Sequence, residues 1–258
     1  MRRAVVNGLG PKTWLGWRSN LCSALVCLSV IVCGLTARAV GDELAGSMQA
    51  AEFTTTVQQK VTLKYWIYLP ADYEKQEKWP LMIFLHGAGE RGDDLDQVKR
   101  HGPPAQIAQG KSLPMIVVSP QCPANTWWQP EAVAKLTQDI ISKHKVDTSR
   151  VYLTGLSMGG FGTWATTIQN PGLYAAAVPI CGGGEPGNVA AIKDLPIWVF
   201  HGAKDSVVPL ARSQEMVDAL RAAGGNVKFT IYPEAEHDSW TETYNNPEVY
   251  EWILQQKR

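Results

Sequence analysis

From residue 52 onward, short unbroken apolar runs alternate with stretches of helical periodicity, and glycine or proline closes nearly every run. Lys60 to Leu69 is rich in β-branched and aromatic residues and stops at Pro70, which predicts a strand. Leu81–Leu85 ends at His86-Gly87, Met115–Val118 at Ser119-Pro120, and Val151–Thr154 at Gly155. Ala175–Ile180 ends at Cys181-Gly182, Ile197–Phe200 at His201-Gly202, and Val227–Tyr232 at Pro233. Runs that are apolar at every position suit strands covered on both faces, as in a parallel sheet between helical layers. Between them, Glu131–His144 places Val133, Leu136, Ile140 and Ile141 on one side, and Pro209–Ala223 and Pro247–Gln256 read as further amphipathic helices. The alternation predicts one α/β domain with a doubly wound, mostly parallel sheet flanked by helices. The segment between Ile180 and Ile197 is too short for a large cap domain, so an open site is expected.

The first 39 residues stand apart. They hold Arg2, Arg3, Lys12, Arg18 and Arg38 with no acidic residue, then the apolar stretch 21–36 and Ala37-Arg38-Ala39. That order predicts a signal peptide cleaved near Ala39 and an exported protein with its catalytic domain at residues 40–258. The apolar stretch is short against the roughly 20 residues that a spanning helix needs, so no stable span is expected after cleavage. Retention as a membrane anchor through residues 21–36 is the alternative. The chain has zero net charge overall, but removing residues 1–39 leaves −5 and no basic cluster, which argues against nucleic acid as a partner. Cys22, Cys27 and Cys33 fall in the leader; Cys122 and Cys181 remain, either as buried thiols or as a pair.

Gly155-Leu156-Ser157-Met158-Gly159 carries the clearest chemistry. It is a G-x-S-x-G placed directly after an apolar strand and before the helical stretch Phe161–Gln169. Such a turn lifts the serine hydroxyl clear of the sheet and sets the Met158 N–H at a helix N-terminus, where negative charge is favoured. A serine hydroxyl needs a base. Among the histidines, His144 and His101 read as surface side chains, and His86 and His201 as packing or supporting residues beside the reaction centre. His237 lies in a loop after the last strand and is the expected base. Asp205 follows the strand Ile197–Phe200 and is the expected orienting acid, ahead of Asp238 and Asp194. The glycine-rich turn after Leu85 offers the Ala88 N–H, with Gly89 in reserve, as the oxyanion donor that joins Met158.

Leu85-His86-Gly87-Ala88-Gly89-Glu90-Arg91-Gly92 and Val151 through Gly160 resemble bacterial α/β-hydrolases of the dienelactone-hydrolase-like, prolyl-oligopeptidase-like and phospholipase/carboxylesterase-like branch. The resemblance spans roughly residues 60–255 and implies the α/β-hydrolase fold, with Ser157, Asp205 and His237 in the triad roles. It also contains a departure: dienelactone hydrolases proper use a cysteine nucleophile, whereas this chain has serine, which points to ordinary ester chemistry.

The expected reaction is acyl transfer from small or polysaccharide-linked carboxylic esters to water. A peptidase or amidase with the same triad is the alternative, and a binding protein on the same scaffold is a third reading. Trp127, Trp128 and Trp240 are candidate walls for the substrate, or covers for the core. Asp93, Asp94 and Asp96 lack calcium-loop spacing and no zinc-ligand pattern occurs, so neither metal nor cofactor is expected.

Overall fold

A computed structural model describes residues 60–258. The expected leader, its cleavage site and its three cysteines lie outside the described residues.

Seven strands form one sheet: β1 (Tyr65–Tyr68), β2 (Trp79–Leu85), β3 (Ile116–Pro120), β4 (Val146–Leu156), β5 (Ala176–Ile180), β6 (Ile197–Gly202) and β7 (Val227–Tyr232). Their spatial order is β1-β3-β2-β4-β5-β6-β7; β1 pairs antiparallel with β3, and every other pairing is parallel. The helices are α1 (Gly102–Ala108), α2 (Pro130–Lys143), α3 (Met158–Gln169), α4 (Ala211–Ala222), α5 (Trp240–Asn245) and α6 (Pro247–Gln255).

Alternation along β2 shows how the layers close. Every residue of this strand is buried. Leu81, Ile83 and Leu85 enter one apolar cluster with Val133 and Ile140 of α2. Met82 and Phe84 enter another, with Tyr244 of α5 and Tyr250 and Ile253 of α6. Side chains two apart share a face of a strand, so an apolar run without a break is what a two-sided core requires.

Two expected strands change length. β1 covers only Tyr65–Tyr68 of the expected Lys60–Leu69, because it is an edge strand whose sole partner ends at the pair Tyr65–Pro120. β4 runs longer than Val151–Thr154: Val146 pairs with Trp79, and the register shifts before Leu81 pairs with Val151. Helices α1 and α5 were not expected. α1 is short and begins Gly-Pro-Pro, which suits a first turn because proline needs no N–H bond there. Cys122 and Cys181 are free and buried.

The chain leaves β2 for β3 on one side and then returns to place β4 on the other. The loops after β2 and β4 therefore part at a topological switch point, the usual location of a site in an open α/β sheet.

Candidate active site

Ser157 sits between β4 and α3 with φ 52° and ψ −118°, a conformation that side chains other than glycine seldom adopt. Backbone bonds hold it there: its N–H donates to the Ile180 carbonyl at 3.0 Å, and its carbonyl accepts from the Phe161 N–H at 3.1 Å. The flanking glycines are obligatory. A Cβ on Gly159 would overlap the Leu85 carbonyl, and one on Gly155 would overlap the Gly159 carbonyl.

His237 and Asp205 reach this serine from the loops after β7 and β6. The Ser157 hydroxyl donates to His237 Nε2 at 3.0 Å, and His237 Nδ1–H donates to Asp205 Oδ2 at 2.7 Å. The Asp205 side chain is fully buried. Its Oδ1 accepts from the Val207 and Val208 N–H groups at 2.9 and 2.8 Å, so the carboxylate is fixed at both oxygens. His201 adds a contact that the sequence left unspecified. Its Nε2–H donates to the Val208 carbonyl at 2.8 Å and faces Asp205 Oδ2 at 3.2 Å, while Nδ1 meets the Ser213 hydroxyl at 2.7 Å. Burial, outweighing the Val208 bond and the Asp205 charge, lowers the His201 pKa and keeps this ring neutral near pH 7.

The turn after β2 is shaped by His86. Its Nδ1–H donates to the Gly87 carbonyl at 2.6 Å, and its Nε2 accepts from the Cys122 N–H at 2.9 Å. Burial drives its pKa down to about 4, against the Gly87 bond and with some help from the Arg91 charge. Ala88 opens a single helical turn, Ala88–Glu90, and Met158 opens α3. The first N–H of a helix has no partner within it, so both expected oxyanion donors start out unpaired by their own elements.

The three candidate tryptophans separate. Trp127 is 62% exposed and meets Phe161 edge-on at 6.1 Å. Trp240 stands edge-on to His237 at 5.2 Å and to His101 at 5.5 Å. Trp128 is a correction: it is 6% exposed, packs on the His86 ring at 4.9 Å and donates from Nε1 to the His86 carbonyl at 3.1 Å, so it belongs to the core. His101 is partly covered. Its side chain is 34% exposed, so it remains partly at the surface, with Trp240 against one side of the ring. Phe161 carried no sequence signal of its own beyond its place one turn after the serine.

One group of potential metal ligands converges among the described residues: Cys181, Asp205 and His237, with ligand atoms within 4.8 Å of one another. Two of them already share a short hydrogen bond. Burial pushes the Cys181 thiol up to about 12, so it is protonated at neutral pH and a poor ligand.

A strained serine at a strand–helix turn, with histidine and aspartate behind it on this sheet, defines an α/β-hydrolase. The chain belongs to the dienelactone hydrolase family, whose profile matches residues 122–251. A crystal structure of a thermostable esterase is 38% identical and superposes with a TM-score of 0.68, covering 77% of this chain and 60% of that one. A putative carboxymethylenebutenolidase of Methylorubrum extorquens is 34% identical over 102 residues, 36% of this chain and 35% of its own length. A bifunctional acetylxylan esterase/xylanase of Neocallimastix patriciarum is 28% identical over 149 residues, covering 55% of this chain and 21% of the relative. The chain thus spans about a third or less of these two relatives.

Proposed function

We propose that this protein hydrolyses carboxylic esters through an acyl-enzyme, with small or polysaccharide-linked esters as substrates. The observation that carries the reading is the continuous chain Ser157–His237–Asp205, joined at 3.0 and 2.7 Å. Ser157 Oγ attacks the ester carbonyl while His237 Nε2 takes its proton, and Asp205 stabilises the imidazolium that forms. The Ala88 and Met158 N–H groups receive the oxyanion. As the tetrahedral intermediate collapses, His237 returns the proton to the departing alcohol, leaving Ser157 acylated. Water, activated by the same histidine, then releases the acid. Trp127 and Trp240 flank the bound ester. Kinship with an esterase at 38% identity supports this reading. Residues 1–39 are proposed to direct export, which sequencing the N-terminus of the exported protein tests: a start near residue 40 is expected.

The main test compares 4-nitrophenyl acetate and butyrate with an aminoacyl 4-nitroanilide, using Ser157→Ala as control. Ester turnover lost in the variant is expected. Amide turnover without ester turnover would reassign the protein as a peptidase, and ester turnover that survives in Ser157→Ala would reject the site.

A further inference from the structure

Glu90 holds a carboxylate that the reaction just described does not use. Its side chain is only 6% exposed, yet no donor among the described residues forms a hydrogen bond to it. The nearest candidates miss. His101 Nε2 lies 3.7 Å from Oε1, and His86 Nδ1 lies 3.9 Å from Oε2 with its proton already given to the Gly87 carbonyl. Neither oxygen is among the polar atoms sealed from solvent, so something mobile, water or a ligand, supplies the donors.

The location says what that is. Glu90 Oε2 lies 3.2 Å, and Ser157 Cβ 3.7 Å, from the point where a Cβ on Gly87 would stand, so both side chains lie close to Gly87. From the other direction, a line of rings leads back to the base: Glu90 to His101, His101 to Trp240, Trp240 to His237. His237 must hand its proton to the leaving alcohol, so the alcohol half of the ester lies on its side of the site. Trp240 Nε1 is also buried without an acceptor among the described residues. A cavity of about 150 Å³ is lined by His101 and Trp240 together with Arg100, Gln109, Thr241 and Asn245; Glu90 does not line it and meets it only through His101.

We infer that Glu90, His101 and Trp240 form a hydroxyl-reading subsite for the alcohol half of the ester, which makes that alcohol a sugar or a similar polyol. The inference rests on the ester-hydrolase reading above. A carboxylate accepts two hydroxyl protons at once, an imidazole edge adds a donor or acceptor, and an indole face covers the apolar C–H side of a pyranose ring. The Arg91 guanidinium bonds the Ala88 and Thr126 carbonyls and forms no ion pair with Glu90, so a cationic alcohol is the competing occupant that the test separates.

The test uses three acetates with the same acyl group: 4-nitrophenyl acetate, cyclohexyl acetate, and a methyl pyranoside carrying one acetyl group and free hydroxyls. Wild type is expected to favour the pyranoside over cyclohexyl acetate in kcat/KM. In Glu90→Gln, and again in His101→Gln as a variant less exposed to folding failure, that ratio should fall about tenfold, the size of one charged hydrogen bond lost. A ratio that changes less than threefold in both variants overturns the inference, as does a wild type that cleaves the aryl ester but not the pyranoside. Acetylcholine is run beside these three, and a wild-type preference for it that Glu90→Gln removes would overturn the inference in favour of a cation. Inactivity of wild type on all three acetates would instead sink the ester-hydrolase reading itself.

Discussion

The Lys204 N–H donates to the Ala235 carbonyl at 3.0 Å, and this bond joins the loop carrying Asp205 to the loop carrying His237. A second backbone bond, Ala203 N–H to the Tyr232 carbonyl at 2.9 Å, runs alongside it. The ammonium of Lys204 also meets the Glu234 carboxylate, but both are exposed and such pairs contribute little. What sets the distance between acid and base is therefore main chain, and Gly202 is what lets the two loops close.

A Cβ at Gly202 would overlap the carbonyls of Ala235 and Glu236. Gly202→Ala should push the His237 loop outward, lowering kcat on 4-nitrophenyl acetate at least tenfold and stability by about 1–3 kcal/mol. Fluorophosphonate labelling of Ser157 should slow in parallel. A variant that turns over and labels at the wild-type rate would show that the loop pairing is not what positions the base.

Triad substitutions should act on rate and leave the fold in place. Asp205→Asn can still accept the two backbone N–H bonds but no longer fixes the imidazole tautomer, and should reduce kcat roughly ten-thousandfold. Ser157→Ala should lose at least as much and abolish fluorophosphonate labelling. Steady-state rates with matched circular dichroism spectra measure both. An Asp205→Asn enzyme within tenfold of wild type would remove Asp205 from its proposed role.

Trp127 and Trp128 are neighbours in sequence with opposite environments, and truncation should separate them. Trp128→Ala removes a buried ring and a hydrogen bond and should cost about 3–5 kcal/mol in urea unfolding. Trp127→Ala should change stability by no more than about 0.5 kcal/mol and raise KM for bulky esters. Equal destabilisation by the two would contradict their placement.

Acid should weaken the fold through its buried imidazoles. An unfolded histidine takes up a proton near pH 6.5, whereas His86 in the fold does so only near pH 4. Between those values the unfolded chain binds more protons, so stability is full above pH 6.5 and declines as pH falls toward 4. His201 is shifted in the same direction. The His86 contribution amounts to at most about 3 kcal/mol across that window. Urea midpoints at pH 7 and pH 4.5 should show the decline, and His86→Gln should show less of it. A slope unchanged in the variant would place the acid sensitivity elsewhere.

Much of this architecture was legible because it is written in local pattern. Runs such as Leu81–Leu85 have no polar position, and a strand buried on both faces has no use for one. The elbow was readable because Ser157 needs glycine two positions on either side, between a strand and a helix. Asp205 and His237 were readable as residues just past strand ends. Other features arise only when distant segments meet. Nothing local distinguishes Trp127 from Trp128; one packs on His86 and the other faces solvent. His101, a polar loop residue, is partly covered by Trp240, and Glu90 is buried only once the turn after β2 folds it beside Gly87. β1 shortened for a similar reason, since its length is decided by where β3 ends.

Because β2 and β4 are neighbours, the turn proposed to receive the oxyanion and the proposed nucleophile share one seam of paired backbone. The segments around Trp127 and Trp240, proposed to flank the ester, hang from other parts of the sheet. Evolution can therefore lengthen, shorten or swap those outer segments to suit a new ester without retuning the reaction centre, which gives this scaffold a wide range of chemistry from a small stock of invariant geometry.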